Sequence, residues 1–329
     1  MGDMVLYTLS NLLVLASDYV AYFIFPAQLI FLVIQKNWAI VKKWFIVLII
    51  SILLGIWWLP IFLDQLNVGV VASSNLPTWK NVLGTFDFKT LPLTFVKFII
   101  GRISLADKLI YAFILLPVSG LFGFLLWRGI KSTASLTRKL LLCWIIIPLT
   151  LATVISLVIP IYNYFRVLFV IPPFIMLISL GVLSAKLRLQ LFFLITVFLI
   201  EIYCTLVYLL NPSFHREDWR GLVNFFKNQS KGSIILFEST GTLPPFDYYA
   251  QDQISAKGAL RDFPAREETD VADLENILKG YQHTYLVDYL VQISDPDRLV
   301  AKKLNSLGYK QTGIKNFNGV GFVYLYTRK

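Results

Sequence analysis

The chain has 329 residues and a mean hydropathy of +0.66, with 57% of its residues hydrophobic and only 15% charged. Soluble proteins average roughly 45–50% apolar and about 25% charged residues, so a soluble globular fold for the whole chain is excluded. The net charge of +10 is uneven: residues 1–211 hold 15 Lys/Arg against 6 Asp/Glu, whereas residues 212–329 hold 15 against 14. The chain therefore divides near Asn211-Pro212 into a polytopic α-helical membrane domain, 1–211, and a small α/β domain, 212–329.

A helix needs about 20 apolar residues to cross about 30 Å of hydrocarbon. The first apolar stretch, Met4 to Gln35, would reach about 48 Å as one helix and is interrupted at Ser17-Asp18. It reads as a short opening helix, Met4 to Ala16, re-entrant or left from a larger protein, and a span from Tyr19 to Gln35. Five further runs follow: Trp44 to Leu63, Leu109 to Arg128, Leu140 to Pro160, Val167 to Ser184 and Leu191 to Leu210. Met1-Gly2-Asp3-Met4 has no positive n-region, so no cleavable signal peptide is expected.

Orientation follows from the cations. Lys36, Lys42, Lys43, Arg128, Lys131, Arg138, Lys139, Lys186 and Arg188 fall in one set of loops without any Asp or Glu. The alternate loops mix Lys80, Lys89, Lys97, Arg102, Lys108 and Arg166 with Asp18, Asp64, Asp87 and Asp107. The positive-inside bias places the first set in the cytoplasm and residues 212–329 outside, in an integral protein of a bacterial or archaeal plasma membrane. The charge is thus a topology signal. Nucleic acid is not an expected partner, because no basic cluster carries interleaved aromatics.

The outer loop Asp64 to Lys108, about 45 residues, is too long for a mere connector. Within it, Leu91 to Ile103 spaces Phe95, Phe98, Ile99 and Arg102 as on a helix, lying in the membrane interface or packed on the spans.

In the C-terminal domain Glu217-Asp218 open a helix with Trp219, Leu222, Val223 and Phe226 on one face. A strand (Ile234 to Phe237), a helix (Val271 to Lys279), a strand (Thr284 to Val287), a helix (Asp297 to Leu307) and two strands (Tyr309 to Lys315, Val320 to Tyr326) follow, the last pair joined by the hairpin signal Asn318-Gly319. Alternating elements predict a sheet with helices packed on it. No phosphate-cradling Gly loop, HExxH or Ser nucleophile elbow is present, and Gly241 with Leu243-Pro244-Pro245 reads as an ordinary turn. His215 and His283 lack ligand-spaced partners, Cys143 and Cys204 sit in apolar runs, and no metal site is predicted. Asn228-Gln229-Ser230 fits the glycosylation acceptor pattern.

Four stretches carry a family likeness: YTLSNLLVLASDYVAYFIFPAQ (Tyr7 to Gln28), GIWWLPIFLDQL (Gly55 to Leu66), IYNYFRVLFVIPPFIMLISL (Ile161 to Leu180) and HREDWRGL (His215 to Leu222). In order and spacing the chain resembles the polytopic GT-C glycosyltransferases, which include protein O-mannosyltransferases and bacterial aminoarabinose transferases. The resemblance implies transfer of a sugar from a polyprenyl-phosphate donor to an acceptor hydroxyl on the outer face, with membrane lipid and that donor as partners and no resident cofactor. The family's catalytic carboxylate lies in an outer loop ahead of everything matched here. This implies a split or N-terminally truncated product with a separate N-terminal partner subunit, or a diverged member without activity. Where the family commonly has Thr-His, this chain has Ser17-Asp18.

Such chemistry requires a cation at headgroup depth, a carboxylate base and a greasy groove. Arg166, flanked by Tyr162 and Tyr164, is the first candidate for the donor phosphate, with snorkelling as its alternative; Arg102 and Lys97 are further candidates. Asp18 is the candidate base, or simply the marker of an outer turn. Glu201 lies deep in its span and must be neutral, paired or facing a wet cavity. Arg216 to Arg220 reads as docking the outer domain on the membrane part, and Trp57-Trp58 as belt residues. A non-catalytic anchor presenting the α/β domain and a transporter are the competing readings.

Overall fold

The computed structural model describes residues 2–75, 87–105, 107–159, 161–229, 232–260 and 264–328. Lys80 and the middle of the 64–108 loop, Pro160 and Ser230 of the acceptor triplet lie outside the described residues. The chain forms two compact units, a helical one up to Val207 and a mixed one from Tyr208 onward.

Three helices of the first unit are long and apolar enough to cross a membrane: Lys108–Ser132, Ser135–Ser156 and Leu187–Leu210. The other expected runs are interrupted or shorter, for one shared reason. The opening helix α1 (Gly2–Leu15) stops before Ser17-Asp18, and a 3-10 turn, Val20–Phe23, leads into α2 (Ile24–Ile34). The Trp44 to Leu63 run is α3 (Trp38–Leu54), a 3-10 turn Ile56–Trp58 and α4 (Leu59–Asn75), bent by 50° at the break. The Val167 to Ser184 run is a 3-10 turn Leu168–Val170 followed by the helix Ile171–Leu183. In all three, proline stands in the first turn of the new helix: Pro26, Pro60, and Pro172 with Pro173. Proline lacks an N–H and fixes φ, so it is tolerated where the helix has no acceptor to offer and resists continuation of the preceding turn.

The remaining helices of this unit are α5 (Thr90–Ile100), α6 (Lys108–Ser132), α7 (Ser135–Ser156), α8 (Ile171–Leu183) and α9 (Leu187–Leu210). Of the two sequence readings of α5, packing is what the structure contains. Val96, Ile99 and Ile100 join Phe122 and Leu125 of α6 and Phe174, Ile178 and Val182 of α8 in one core, and Phe95 and Phe98 set their rings edge-on to Phe174, both at 5.7 Å. The α1 helix is fastened to its neighbours by polar contacts: buried Asn11 donates to Ser51 Oγ (3.4 Å), while Tyr7 and Trp44 both donate to Gln28 Oε1 (2.6 and 3.0 Å). Helices α6 and α8 meet backbone to backbone at Gly129 and Gly181, where an added Cβ would overlap the Leu177 and Leu125 carbonyls respectively. Small residues at such crossings allow the close approach that stabilises helix pairs in lipid.

The second unit is a five-stranded sheet in the order β2-β1-β3-β5-β4, with strands β1 (Ser233–Ser239), β2 (Ala256–Leu260), β3 (His283–Val287), β4 (Tyr309–Phe317) and β5 (Gly321–Arg328). Strands β1, β2 and β3 are parallel; β5 runs antiparallel to both β3 and β4. Strand period two sends Ile235 and Phe237 to one face, against Leu222, Val223 and Phe226 of α10 (Trp219–Gln229) and Phe246 of α11 (Pro244–Ala250). Ile234 and Leu236 face the other way, toward Leu274 and Leu278 and toward Val300 and Leu304 of the helix Leu299–Ser306. The β2 strand and α11 have no counterpart in the sequence reading. The expected helix Val271 to Lys279 is instead a 3-10 turn, Glu268–Val271, and a single turn, Leu274–Ile277.

The Asn318-Gly319 turn clamps the chain just before α10. Asp218 N donates to Asn318 O (2.8 Å), Asn318 Nδ2 donates to the carbonyls of Ser213 and His215 (both 3.1 Å), and Gly319 (φ 73°) lies so close to Glu217 that a Cβ would stand 3.0 Å from its Cα. Asp218 caps α10 through Gly221 N (2.9 Å), and Glu217 accepts from Trp219 Nε1 (3.1 Å) and Tyr289 OH (3.2 Å). Burial and the adjacent Glu217 carboxylate push the Tyr289 phenol up to about 12. The hydrogen bonds given for Glu217 and Asp218, inside the Arg216 to Arg220 segment, fall within the mixed unit.

The α6–α8 crossing yields a direct test. Gly181→Val destabilises the helical unit by about 3 kcal/mol, the upper range for overpacking, read as a lowered thermal midpoint in detergent. Gly120→Ala, on the same α6 where an added Cβ meets nothing within 4 Å, leaves the midpoint unchanged or raised. Equal effects of the two would refute the close crossing.

Candidate functional site

The interruptions of the helical unit converge on a cleft of about 810 Å³. Its walls come from the end of α1 and the turn after it (Leu15 to Tyr19), the first 3-10 turn (Val20, Tyr22, Phe23), the 3-10 turn before α4 and α4 itself (Trp58, then Phe62, Gln65 and Leu66), and Ile155, Ile161 and Arg166. Asp18 and Arg166, which the sequence presents as separate candidates 148 positions apart, line the same cavity.

Each polar wall residue is set by local structure. Asp18 is exposed and ends the α1 turn by accepting Val20 N on Oδ1 at 2.7 Å, which leaves Oδ2 facing no donor among the described residues. Arg166 lies in the turn before Leu168–Val170, fixed by its own N–H to Asn163 O (2.9 Å), and its half-buried side chain has no hydrogen bond or ion pair among the described residues. Tyr19 donates from its phenol to Gln65 Oε1 (2.5 Å) and packs edge-on against Phe62, ring centroids 4.9 Å apart. Tyr22 ties the cleft floor to α1 by donating to Leu15 O at 2.6 Å.

A second, apolar groove of about 410 Å³ shares Leu15, Ala16 and Trp58 with the cleft and continues along Leu9, Leu12 and Leu13 of α1, opposite Leu54 and Trp57. The cleft, with one carboxylate and one guanidinium in its walls, and the apolar groove thus lie side by side, with Leu15, Ala16 and Trp58 common to both.

The other predicted site residues are elsewhere. Tyr162, expected to bind substrate, is 3% exposed: its N–H donates to Ser156 Oγ (2.7 Å) and its OH to Thr94 Oγ1 (3.2 Å), so it pins α5 and α7 together and does not line the cleft. Tyr164 is half-buried with its ring against Phe165, Lys97 is half-buried on α5 and Arg102 is exposed beyond Gly101; none lines the cleft. Glu201 faces a separate crevice of about 530 Å³ between α8 and α9, together with Gln190, Leu194 and Val197 of its own helix. Both cysteines are free thiols. His215 Nε2 is 2.8 Å from Tyr208 O and His283 Nδ1 3.1 Å from Thr327 Oγ1.

Phe62, Gln65 and Leu66 carry no role in the sequence analysis, and Trp58 figures there only as a belt residue. They follow one another at i, i+4, i+7 and i+8, one helix face beginning at the Trp-Leu-Pro break. An amide among aromatics on such a face was the available signal.

The mixed unit holds one buried charged cluster. Glu238, at the carboxyl end of β1, is fully buried and neither of its oxygens meets a donor. Within hydrogen-bond reach lies the Asp288 carboxylate, itself an acceptor, so that contact is a bond only when Glu238 carries the proton. Burial first, then the Asp295 and Asp288 carboxylates, push Glu238 well above the ordinary carboxylate range, with Arg298 opposing. Arg298 Nη1 bridges both Asp288 oxygens (2.6 and 2.5 Å), and Asp295 accepts Leu299 N and Val300 N, both at 2.8 Å. Among the described residues no group of three or more His, Cys, Asp or Glu side chains is arranged to hold a metal.

The sign of the pH effect follows. At low pH Glu238 is neutral in both states; as pH rises through about 4.3 the unfolded chain ionises while the folded one keeps its proton, so stability falls until the folded group ionises. Glu238→Gln, which keeps a donor for Asp288 and cannot ionise, therefore unfolds at a higher temperature than the parent at about pH 7 and at the same temperature near about pH 4. A pH-independent difference would contradict the shared proton.

Comparison with protein-family models, with curated proteins and with solved structures finds no match to this chain.

Proposed function

We propose that the protein transfers a sugar from a polyprenyl-phosphate donor to an acceptor hydroxyl at the extracytoplasmic face of a plasma membrane, working in the cleft between Asp18 and Arg166. The observation that carries this reading is the shared cavity: a guanidinium and a carboxylate oxygen, both without a side-chain partner among the described residues, line one cleft, and an apolar groove adjoins it. That combination matches an amphiphile with an anionic head and a hydrocarbon tail. The cation distribution supports the outer face for this end of the helices, and with it the outside location of the mixed unit.

Arg166, always charged and weakly hydrated, takes the donor phosphate, and the first isoprene units occupy the groove along Leu9, Leu12 and Leu13. Asp18 Oδ2 removes the proton from the acceptor hydroxyl, its Oδ1 being held by Val20 N. The acceptor oxygen bonds to the anomeric carbon, the bond from that carbon to the phosphate oxygen breaks, and the electron pair leaves with polyprenyl phosphate. Arg166 stabilises the charge that grows on the departing phosphate.

Membranes containing the full chain are expected to release polyprenyl phosphate from a labelled polyprenyl-phosphate sugar. Arg166→Ala and Asp18→Asn each reduce release by about 100-fold or more while leaving the thermal midpoint in place. Unchanged release in both variants removes the cleft as the site, and no release from the parent favours the non-catalytic anchor.

A further inference from the structure

Resting on that reading, we propose that the cleft contains a saccharide-ring subsite apart from its phosphate end, walled by Tyr19, Phe62 and Trp58, in which Gln65 determines sugar specificity and Tyr19 is the positioning residue that holds it. Two observations lead there. The first is the fixed amide. Tyr19 OH occupies Gln65 Oε1 at 2.5 Å, so the amide presents its two Nε2 protons, which meet no acceptor among the described residues. The second is the aromatic wall: Tyr19 and Phe62 stand edge to face at 4.9 Å, and Trp58 precedes Phe62 by one helical turn on the same cleft face.

A lipid phosphate can accept from the amide but has no use for the aromatic wall. A pyranose uses both: its C–H face lies on an aromatic wall, and its rim of oxygens takes donors from an amide while its hydroxyls donate to a carboxylate. Because Gln65 offers donors only, it reads an oxygen of the ring and not a bound proton.

The test compares polyprenyl phosphate with polyprenyl-phosphate glucose, titrated onto the full chain in lipid nanodiscs. The parent binds the glucose-bearing lipid more tightly. Gln65→Ala weakens that lipid about five- to tenfold and leaves bare polyprenyl phosphate unchanged. Gln65→Glu keeps the bond from Tyr19 but has no donor left, and loses as much as the alanine variant. Tyr19→Phe keeps the ring, frees the amide to rotate and loses about threefold on the glucose-bearing lipid alone. Arg166→Ala weakens both lipids equally. Thermal midpoints equal to the parent's confirm that each variant is folded. If Gln65 and Tyr19 variants leave the ratio of the two affinities unchanged while Arg166→Ala weakens both lipids, the subsite is overturned and the phosphate reading stands. If the parent binds neither lipid, or Arg166→Ala affects neither, the functional reading falls and takes the subsite with it.

Discussion

A helix that stops leaves N–H and C=O groups that need other partners, and among apolar side chains few are at hand. Three first-turn prolines decide where that happens. Pro26, Pro60 and the Pro172-Pro173 pair each open a new helix after a 3-10 turn. The released groups are taken up close by: Asp18 accepts Val20 N, and Ser156 Oγ accepts Tyr162 N. Segments ending at two of these turns, together with the turn that leads into the third, line the cleft. The cavity is a by-product of how interrupted helices terminate, and its polar side chains are there because that is where polar groups have company.

The two units handle charge in opposite ways. In the mixed unit the buried Asp288 is paired with Arg298, Asp295 is spent on the first turn of a helix, and burial with the neighbouring carboxylates pushes Glu238 well above the ordinary carboxylate range. The cluster is buried, and Asp288 and Asp295 are answered from within their own unit. In the cleft, Arg166 and one oxygen of Asp18 have no described partner, and the aromatic and amide groups beside them are oriented by Tyr19 and Gln65 acting on each other. A guanidinium and a carboxylate oxygen without described partners in one cavity are groups a ligand can use, and for that reason the cleft, not the buried acidic cluster, is the functional candidate.

Local patterns were legible wherever one element's own periodicity specified it. The break at Ser17-Asp18, the apolar face of Trp219, Leu222, Val223 and Phe226, the strands around Ile234, Leu286 and Leu325, and the Asn318-Gly319 hairpin all follow from spacing and turn chemistry alone. Where one hydrophobic run hides two elements, composition misleads: Trp44 to Leu63 is continuous in hydropathy, yet Gly55 and Pro60 split it. The short strand β2, with Gly258 fitted so closely to Thr240 that a Cβ would clash with its backbone, exists because β1 supplies a parallel partner, and no local pattern encodes that pairing.

By itself, then, the amino-acid order determined which stretches avoid water, which end of each stretch carries cations, and that a polar sheet-forming segment follows them, because hydropathy and turn residues act over a few positions at a time. Only the tertiary structure decided that Tyr162 is an internal pin while Arg166, four residues later, faces an open chamber, and that Asp18, Gln65 and Trp58 share it. Those relations depend on which helix faces are turned toward one another, which is settled by long-range packing such as the Gly129–Gly181 crossing and the aromatic core around Phe174.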